Sequence, residues 1–436
     1  VSETLRIGLA GLGVVGGGVL KLLKEQRELL LSRCGRRLEV IAVSARNRKR
    51  DISAGDLSSL KWYHDAADMA GDPDIDVVCE LIGGSDGIAL TLSQAVLKNG
   101  KHLVSANKAL LALHGNELAQ AAEKSAVHLG YEAAVAGGIP IIKGLREGLA
   151  GNRFSGVYGI LNGTCNYILT EMRDGVRAGN PRNFDAVLKE AQELGYAEAD
   201  PSTDVDGIDA AHKLALLTSL IFGCPVDFSA VQIEGIRHIN VLDIKYAEEL
   251  GYRVKLLGVS RASDAGIEQS VHPCMVPERA AIAHVDGVLN AVVADGDYVD
   301  TTTFQGPGAG AGPTASAVVA DLVDISRGLV LPTFGLPVSQ LSARPKASPG
   351  SHVGSYYIRL MVVDRPGVIA DIAACLRDQK VSVESLLQHG RKPDEAVPVV
   401  LTTHVAEEGA LIRALAAMDE LGAVLETPRM IRIVNL

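Results

Sequence analysis

Long apolar runs are missing from this chain: no stretch approaches the ~18 unbroken apolar residues that a membrane-crossing helix needs, which excludes a membrane bundle. Cysteine is sparse and unpatterned. Cys34, Cys79, Cys165, Cys224, Cys274 and Cys375 form no C-x-x-C and no paired histidine spacing, so neither a zinc site nor a disulfide framework is written here, and reduced thiols in a cytoplasm are expected. Positive charge is in deficit, 42 Lys plus Arg against 52 Asp plus Glu for a net charge of -10, which repels polyphosphate backbones and makes nucleic acid an unexpected partner. The opening residues 1–10 lack a basic region followed by an apolar run and a small-residue cleavage site, so neither targeting nor anchoring is expected. Aromatics are only 4% of the residues, while glycines number 46. That composition leans towards tight strand-to-helix turns packed by Ala, Val, Leu and Ile, a habit of α/β folds.

At 436 residues the chain is long enough for two to four domains. Its first part alternates apolar strands (residues 5–10, 39–44, 75–82, 102–105 and 127–131) with helix-patterned stretches, which predicts a doubly wound parallel sheet with right-handed crossovers over residues 1–135. Beyond it, residues 136–313 mix helices (184–194 and 207–222) with strands (154–161 and 254–261) and read as an α+β substrate domain. A helix-like run near 314–330 is expected to return to the first domain. Residues 332–351, rich in Pro, Ser and Gly, read as a linker. The final unit, 352–436, shows the order βαββαβ, the ferredoxin-like arrangement.

Several positions point to chemistry. Gly11-x-Gly13-x-x-Gly16 follows the first strand and opens a helix, as a dinucleotide site requires: a tight turn, close approach of a pyrophosphate, and helix-on-strand packing. The second strand ends in Ser44-Ala45-Arg46 with Arg48, Lys49 and Arg50 behind it, where an acidic residue would hold the ribose 2′-hydroxyl of NAD. A guanidinium suits a 2′-phosphate, so NADP is expected in preference to NAD. Lys108 lies just past the fourth strand, at the edge where open α/β sheets place ligands. Asp209 and Lys213 are four apart on one helix, behind an acidic turn containing Asp200, Asp204 and Asp206. Spacing alone suggests a surface ion pair; the company of Leu214, Leu216, Leu217, Leu220 and Ile221 suggests instead a buried helix on which an ion pair needs a reason. The Gly-rich stretch beginning at Glu132 offers a carboxylate and main-chain carbonyls to a monovalent cation, with a plain domain-crossing turn as the alternative.

Together these segments resemble the homoserine dehydrogenases of the longer bacterial form, which carry a C-terminal ACT regulatory domain. The likeness rests on GLGVVG at 11–16, SANK at 105–108, YEAAVAGGIPII at 131–142, LNGTCNYIL at 161–169, AQELGYAEADPSTDVDGIDAAHKLALL at 191–217, QGPGAGAGPTASAV at 305–318 and DRPGVIADIA at 364–373. The resemblance implies reversible reduction of L-aspartate 4-semialdehyde to L-homoserine on the route to threonine, methionine and isoleucine. It makes Lys213 the proton donor with Lys108 beside it, each an ammonium of lowered pKa, and assigns Glu198, Asp209, Gly163 and Thr164 to the substrate. Cofactor contacts would fall on Gly11, Gly13, Val14, Val15, Gly16, Ala45, Arg46, Gly83, Ser105, Lys108, Gly195 and Gly310. A structural sodium ion would sit at Glu132, Val135, Gly137 and Ile139, threonine would act through the ACT unit near Gly367, and the chain would form a homo-oligomer, a dimer or a tetramer. Alternatives are another Rossmann-type dehydrogenase of amino-acid metabolism with an ACT tail, and a catalytically silent amino-acid sensor.

Overall fold

The computed structural model describes residues 3–46, 57–348, 350–389 and 395–434. Its first unit runs β1 (Thr4–Ala10), α1 (Val14–Glu25), α2 (Arg27–Cys34), β2 (Arg37–Ser44), β3 (Lys61–Tyr63), β4 (Val77–Glu80), α3 (Ile88–Lys98), β5 (His102–Ser105), α4 (Lys108–Lys124) and β6 (Leu129–Gly130). The strands form one parallel sheet in the order β3-β2-β1-β4-β5-β6. Because strand order reverses between β1 and β4, a crevice opens at their carboxyl ends. The apolar strands expected from the sequence are there, except that the last shrinks to two residues. The sixth strand, β3, is three residues on the edge, too short to show a period. Gly11 has φ +106, and a Cβ there would lie 2.4 Å from the Leu81 carbonyl; a Cβ on Gly16 would lie 2.1 Å from the Gly11 carbonyl. These two glycines therefore make the turn and the close helix contact.

The second unit comprises α5 (Ile141–Lys143), β7 (Phe154–Ile160), α6 (Gly163–Arg177), α7 (Phe184–Glu193), α8 (Ser202–Val205), α9 (Ile208–Phe222), β8 (Gln232–Ile233), α10 (Val241–Glu249), β9 (Tyr252–Ser263), β10 (Gly266–Pro277), β11 (Leu289–Gly296) and β12 (Asp300–Pro307). Strands β12-β11-β7-β9-β10 form an antiparallel layer, and α9 lies against β7, β9 and β10 through Leu214 and its neighbours. The next helix, α11 (Ala311–Ser326), crosses back to the first unit: Val318, Leu322 and Ile325 join Leu5, Ile7 and Leu9 in one cluster, and a Cβ on Gly18 of α1 would lie 2.4 Å from the Ala311 carbonyl.

The C-terminal unit contains β13 (Val353–Val363), α12 (Val368–Asp378), β14 (Val383–Leu387), β15 (Ala396–Thr403), β16 (Ala406–Glu407), α13 (Glu408–Asp419) and β17 (Arg429–Ile433), the expected βαββαβ order with the minor β16 added. Its sheet does not stand apart. β17 pairs in parallel with β10, Cys274 opposite Arg432 and Met275 opposite Ile433, so strands of the second and C-terminal units share an eleven-stranded sheet. Buried charges seal the junction: Arg359 Nε lies 2.7 Å from Asp243 Oδ1 of α10, with the Tyr357 hydroxyl donating to the same oxygen at 3.2 Å, and Arg432, held within the C-terminal unit by Glu408, donates from Nη1 to Ser270 Oγ of β10 at 3.3 Å. Nor is the Pro-rich connection a free tether. Phe334 is buried with its ring edge-on to Tyr131 at 5.8 Å, the Val338 N–H donates to Glu123, and the Ile267 N–H donates to the Pro345 carbonyl at 2.8 Å. A linker read from composition is thus a strap held by a buried aromatic and backbone hydrogen bonds. All six cysteines are free, and no helix among the described residues is long and apolar enough to cross a membrane.

Candidate active site

A cleft of about 540 Å³ opens between the parallel sheet and the second unit, lined among others by Lys108, Gly163, Thr164, Asp209, Lys213 and Gly310. Helix α4 brings Lys108 to it. Asn107 caps that helix, accepting the Leu110 N–H at 3.1 Å and donating to the Gly84 carbonyl at 2.6 Å, so the last turn of β5 and the β4 loop fix where Lys108 starts. Beneath them lies Glu80, fully buried at the end of β4, which accepts from Ser105 Oγ at 2.7 Å and from the Ile82 N–H at 2.8 Å. The Ser105 side chain is spent on Glu80.

From the other side, α9 presents Asp209 in its first turn, where a helix dipole favours a carboxylate, and Lys213 one turn later. Both are buried, so the surface-pair reading is overturned. Lys213 Nζ lies 2.8 Å from Asp209 Oδ2 and donates to the Leu161 carbonyl at 2.7 Å; Lys108 Nζ lies 3.1 Å from Asp209 Oδ1. One carboxylate from the second unit thus gathers two ammonium groups that are remote in sequence, one from each unit. Asn162 completes the group: it caps α6 by accepting the Cys165 N–H and donates to Asp209 Oδ2 at 2.9 Å and Asp204 Oδ1 at 2.8 Å.

The electrostatics follow. Burial works to raise the Asp209 pKa, but the two ammonium groups and the Asn162 amide outweigh it and hold the carboxyl well below its usual range. Asp204 is raised, chiefly by burial. Lys108 runs against the lowered ammonium expected: Asp209 raises its pKa, more than offsetting desolvation, with Asp204 and Glu198 adding to the effect. Lys108 therefore stays positively charged beside Asp209.

Gly195, Val14 and Val15 also reach the cleft wall, as does Tyr196, whose carbonyl accepts from Thr164 Oγ1 at 2.8 Å. Glu198 is exposed on the rim and is not brought to the wall. Gly11, Gly13, Gly16, Ala45 and Gly83 lie along the carboxyl edge of the sheet. A Cβ on Gly13 would meet no protein atom within 4 Å, and the N-terminus of α1 carries no side-chain cap, so this turn leaves open backbone donors where a pyrophosphate would be held. Exposed Arg46 follows the end of β2; Arg48, Lys49 and Arg50 lie outside the described residues.

The cation loop fits less well. Both Glu132 carboxylate oxygens accept backbone N–H groups at 2.9 Å, from Ile142 and Lys143, so the side chain caps α5; the Ile139 carbonyl accepts from the Ile141 N–H at 2.7 Å. Each of these oxygens keeps a second lone pair, and the Val135 and Gly137 carbonyls stand beside them in the same loop. Among the described residues no group of three or more His, Cys, Asp or Glu side chains could hold a metal.

Family models agree with this architecture along the chain: the NAD-binding domain of homoserine dehydrogenase matches residues 11–132, the homoserine dehydrogenase domain 140–323, and the ACT domain 356–420. The homoserine dehydrogenase of Neisseria gonorrhoeae is 45% identical over 100% of this chain and 99% of its own length, and that of Pseudomonas aeruginosa 44% identical over 100% of both. The chain belongs to the homoserine dehydrogenase family. A homoserine dehydrogenase structure from Thiobacillus denitrificans superposes with a TM-score of 0.92 at 45% identity, covering 99% of this chain and 98% of that one. As a homoserine dehydrogenase it is an NAD(P)-dependent oxidoreductase with a C-terminal ACT domain. Glu80, Asn107 and Asn162 were not singled out in the sequence, and Asp204 was named there only within an acidic turn. An Asn before the first turn of α6 and an acid closing a buried strand were the available signals.

Proposed function

We propose that this enzyme interconverts L-aspartate 4-semialdehyde and L-homoserine with NADP(H) in threonine, methionine and isoleucine biosynthesis, with threonine acting back through the ACT domain. The carrying observation is the single buried carboxylate of Asp209 shared by Lys108 and Lys213. A bound nicotinamide supplies or accepts the hydride. Lys213 hands a proton to the aldehyde oxygen and Lys108 stabilises the negative charge that grows there, while Asp209 keeps both tips turned into the cleft. The substrate amino group meets Asp204, Asp209 and the rim charge of Glu198, against the Gly163–Thr164 backbone. Gly11, Gly13, Val14, Val15 and Gly16 hold the pyrophosphate; Gly83, the Ser105 backbone, Gly195 and Gly310 border the nicotinamide half; Ala45 and Arg46 read the 2′-phosphate. We assign residues 1–135 with 314–330 to nucleotide binding, 136–313 to catalysis, 332–351 to the strap and 352–436 to the ACT domain. A sodium ion held by Glu132 and the Val135, Gly137 and Ile139 carbonyls is supported only by the loop shape. The assembly is a homo-oligomer in the cytoplasm. Threonine binding is placed at the exposed turn of Gly367, φ +98, which opens α12 without a side-chain cap.

Purified enzyme should oxidise L-homoserine with NADP, and Lys213→Ala should lower turnover about 100-fold or more with NADP affinity retained. An inactive wild type, or a fully active variant, refutes the assignment; the first result would favour a silent sensor.

A further inference from the structure

One polar side chain of the cleft is left without a hydrogen bond. Asn290, second residue of β11, is 1% exposed, and neither its Oδ1 nor its Nδ2 has a partner. Other buried amides of this region are satisfied: Asn162 bridges two carboxylates, and Asn166 donates to the Val285 and Gly287 carbonyls while accepting from Lys255. A buried amide with both ends unpaired is strongly disfavoured, and Val or Leu would fill the same space without that penalty. The chain also makes room for it. A Cβ on Gly308 would lie 2.2 Å from Asn290 Cγ, and one on Gly163 would lie 3.5 Å from its Oδ1. The amide therefore stands between the late glycine loop and the loop opening α6, in the wall of the cleft that Lys108 and Lys213 face.

The pattern of unmet bonds identifies the ligand group. A carboxylate could take only the Nδ2 donor, and an ammonium only the Oδ1 acceptor. A primary carboxamide satisfies both at once, in either orientation of the Asn side chain. The ammonium of an amino-acid substrate already has carboxylates to meet in Asp204 and Asp209. The remaining carboxamide in this reaction is the one on the nicotinamide ring. We propose that Asn290 pairs with the nicotinamide carboxamide and so fixes which face of the ring is turned to the two lysines. Gly308 and Gly310, between β12 and α11, give the covering loop the freedom to adjust as the ring enters. The inference rests on the dehydrogenase reading above.

The test is equilibrium binding to the full chain, followed by fluorescence, of NADP and of its 3-acetylpyridine analogue, which keeps the acceptor oxygen and lacks the N–H donors. Wild type should bind NADP about tenfold more tightly. In Asn290→Ala that preference should fall within twofold, with the KM for homoserine changed less than twofold. Should Asn290→Ala fail to fold, Asn290→Ser and the wild-type titration decide. No wild-type preference, or an undiminished preference in the variants, overturns the proposal, as does a tenfold rise in homoserine KM at constant preference, which would place Asn290 on the substrate. Failure of the wild type to turn over homoserine would instead strike at the activity, and the binding ratio is measured without turnover.

Discussion

Asp209→Asn tests the central arrangement, since the substitution keeps the shape and an acceptor while deleting the charge. At 3.1 Å and 2.8 Å the carboxylate attracts each ammonium by about 5–6 kcal/mol at an effective dielectric near 20, against a desolvation penalty of several kcal/mol per buried ion. Removing one partner of such a pair leaves buried positive charge uncompensated, and the expected loss of stability is about 3–5 kcal/mol. The catalytic signature is more specific. Lys108 has its pKa raised chiefly by Asp209, so its ammonium contributes stability below the unfolded lysine pKa that is lost only as pH climbs through the higher folded value. Asp209 has the opposite sense: depressed in the fold, it contributes stability above the unfolded aspartate value that is lost as acid titrates it. Without the carboxylate, the alkaline limb of aldehyde reduction should move towards neutrality by about one pH unit or more. The assay is kcat against pH over roughly 7 to 11, which spans ordinary and raised lysine values, with thermal unfolding in parallel. An unmoved limb in a variant of unchanged melting temperature would refute the reasoning.

Other outcomes follow from single sites. Arg46→Asp should shift the kcat/KM ratio towards NAD by about tenfold, and an unchanged ratio would show that Arg46 does not read the 2′-phosphate. Gly367→Val strains a turn with φ +98 but meets no atom within 4 Å, so threonine inhibition should weaken while basal turnover persists; inhibition at the wild-type concentration would move the effector site elsewhere. Asp321, buried beside Glu132 with its pKa pushed up to about 7, stays protonated in the fold where an unfolded aspartate ionises, so it opposes folding increasingly as pH rises above the ordinary aspartate value and in full above about 7; Asp321→Asn should therefore raise the melting temperature clearly more at about pH 8 than at about pH 4. Equal effects at both pH values would count against it.

Much of this was legible because it is local. The glycine turn, the strand-helix alternation and the βαββαβ tail each repeat a period within a short window, and Lys108 betrays itself by standing at the carboxyl edge of a strand. Asp209 and Lys213 were legible as a pair, and their apolar neighbours pointed to its burial; their meeting with Lys108 needs α4 laid against α9, a contact between units. Glu80, Asn162 and Asn290 carry no local signal beyond a polar residue at an element's end. Arg46 stands where it was expected, whereas the strap defeats a reading by composition because Phe334 alone anchors much of it.

The β10–β17 ladder has a consequence for exchanging regulators between enzymes. The Val434 N–H donates to the Met275 carbonyl, and the two strands stand in register. A chain cut at the strap would bare part of β10 as an open edge, a template for self-association. A grafted domain must therefore bring its own strand of matching direction, because in this enzyme the ACT domain is also a piece of the wall it is attached to.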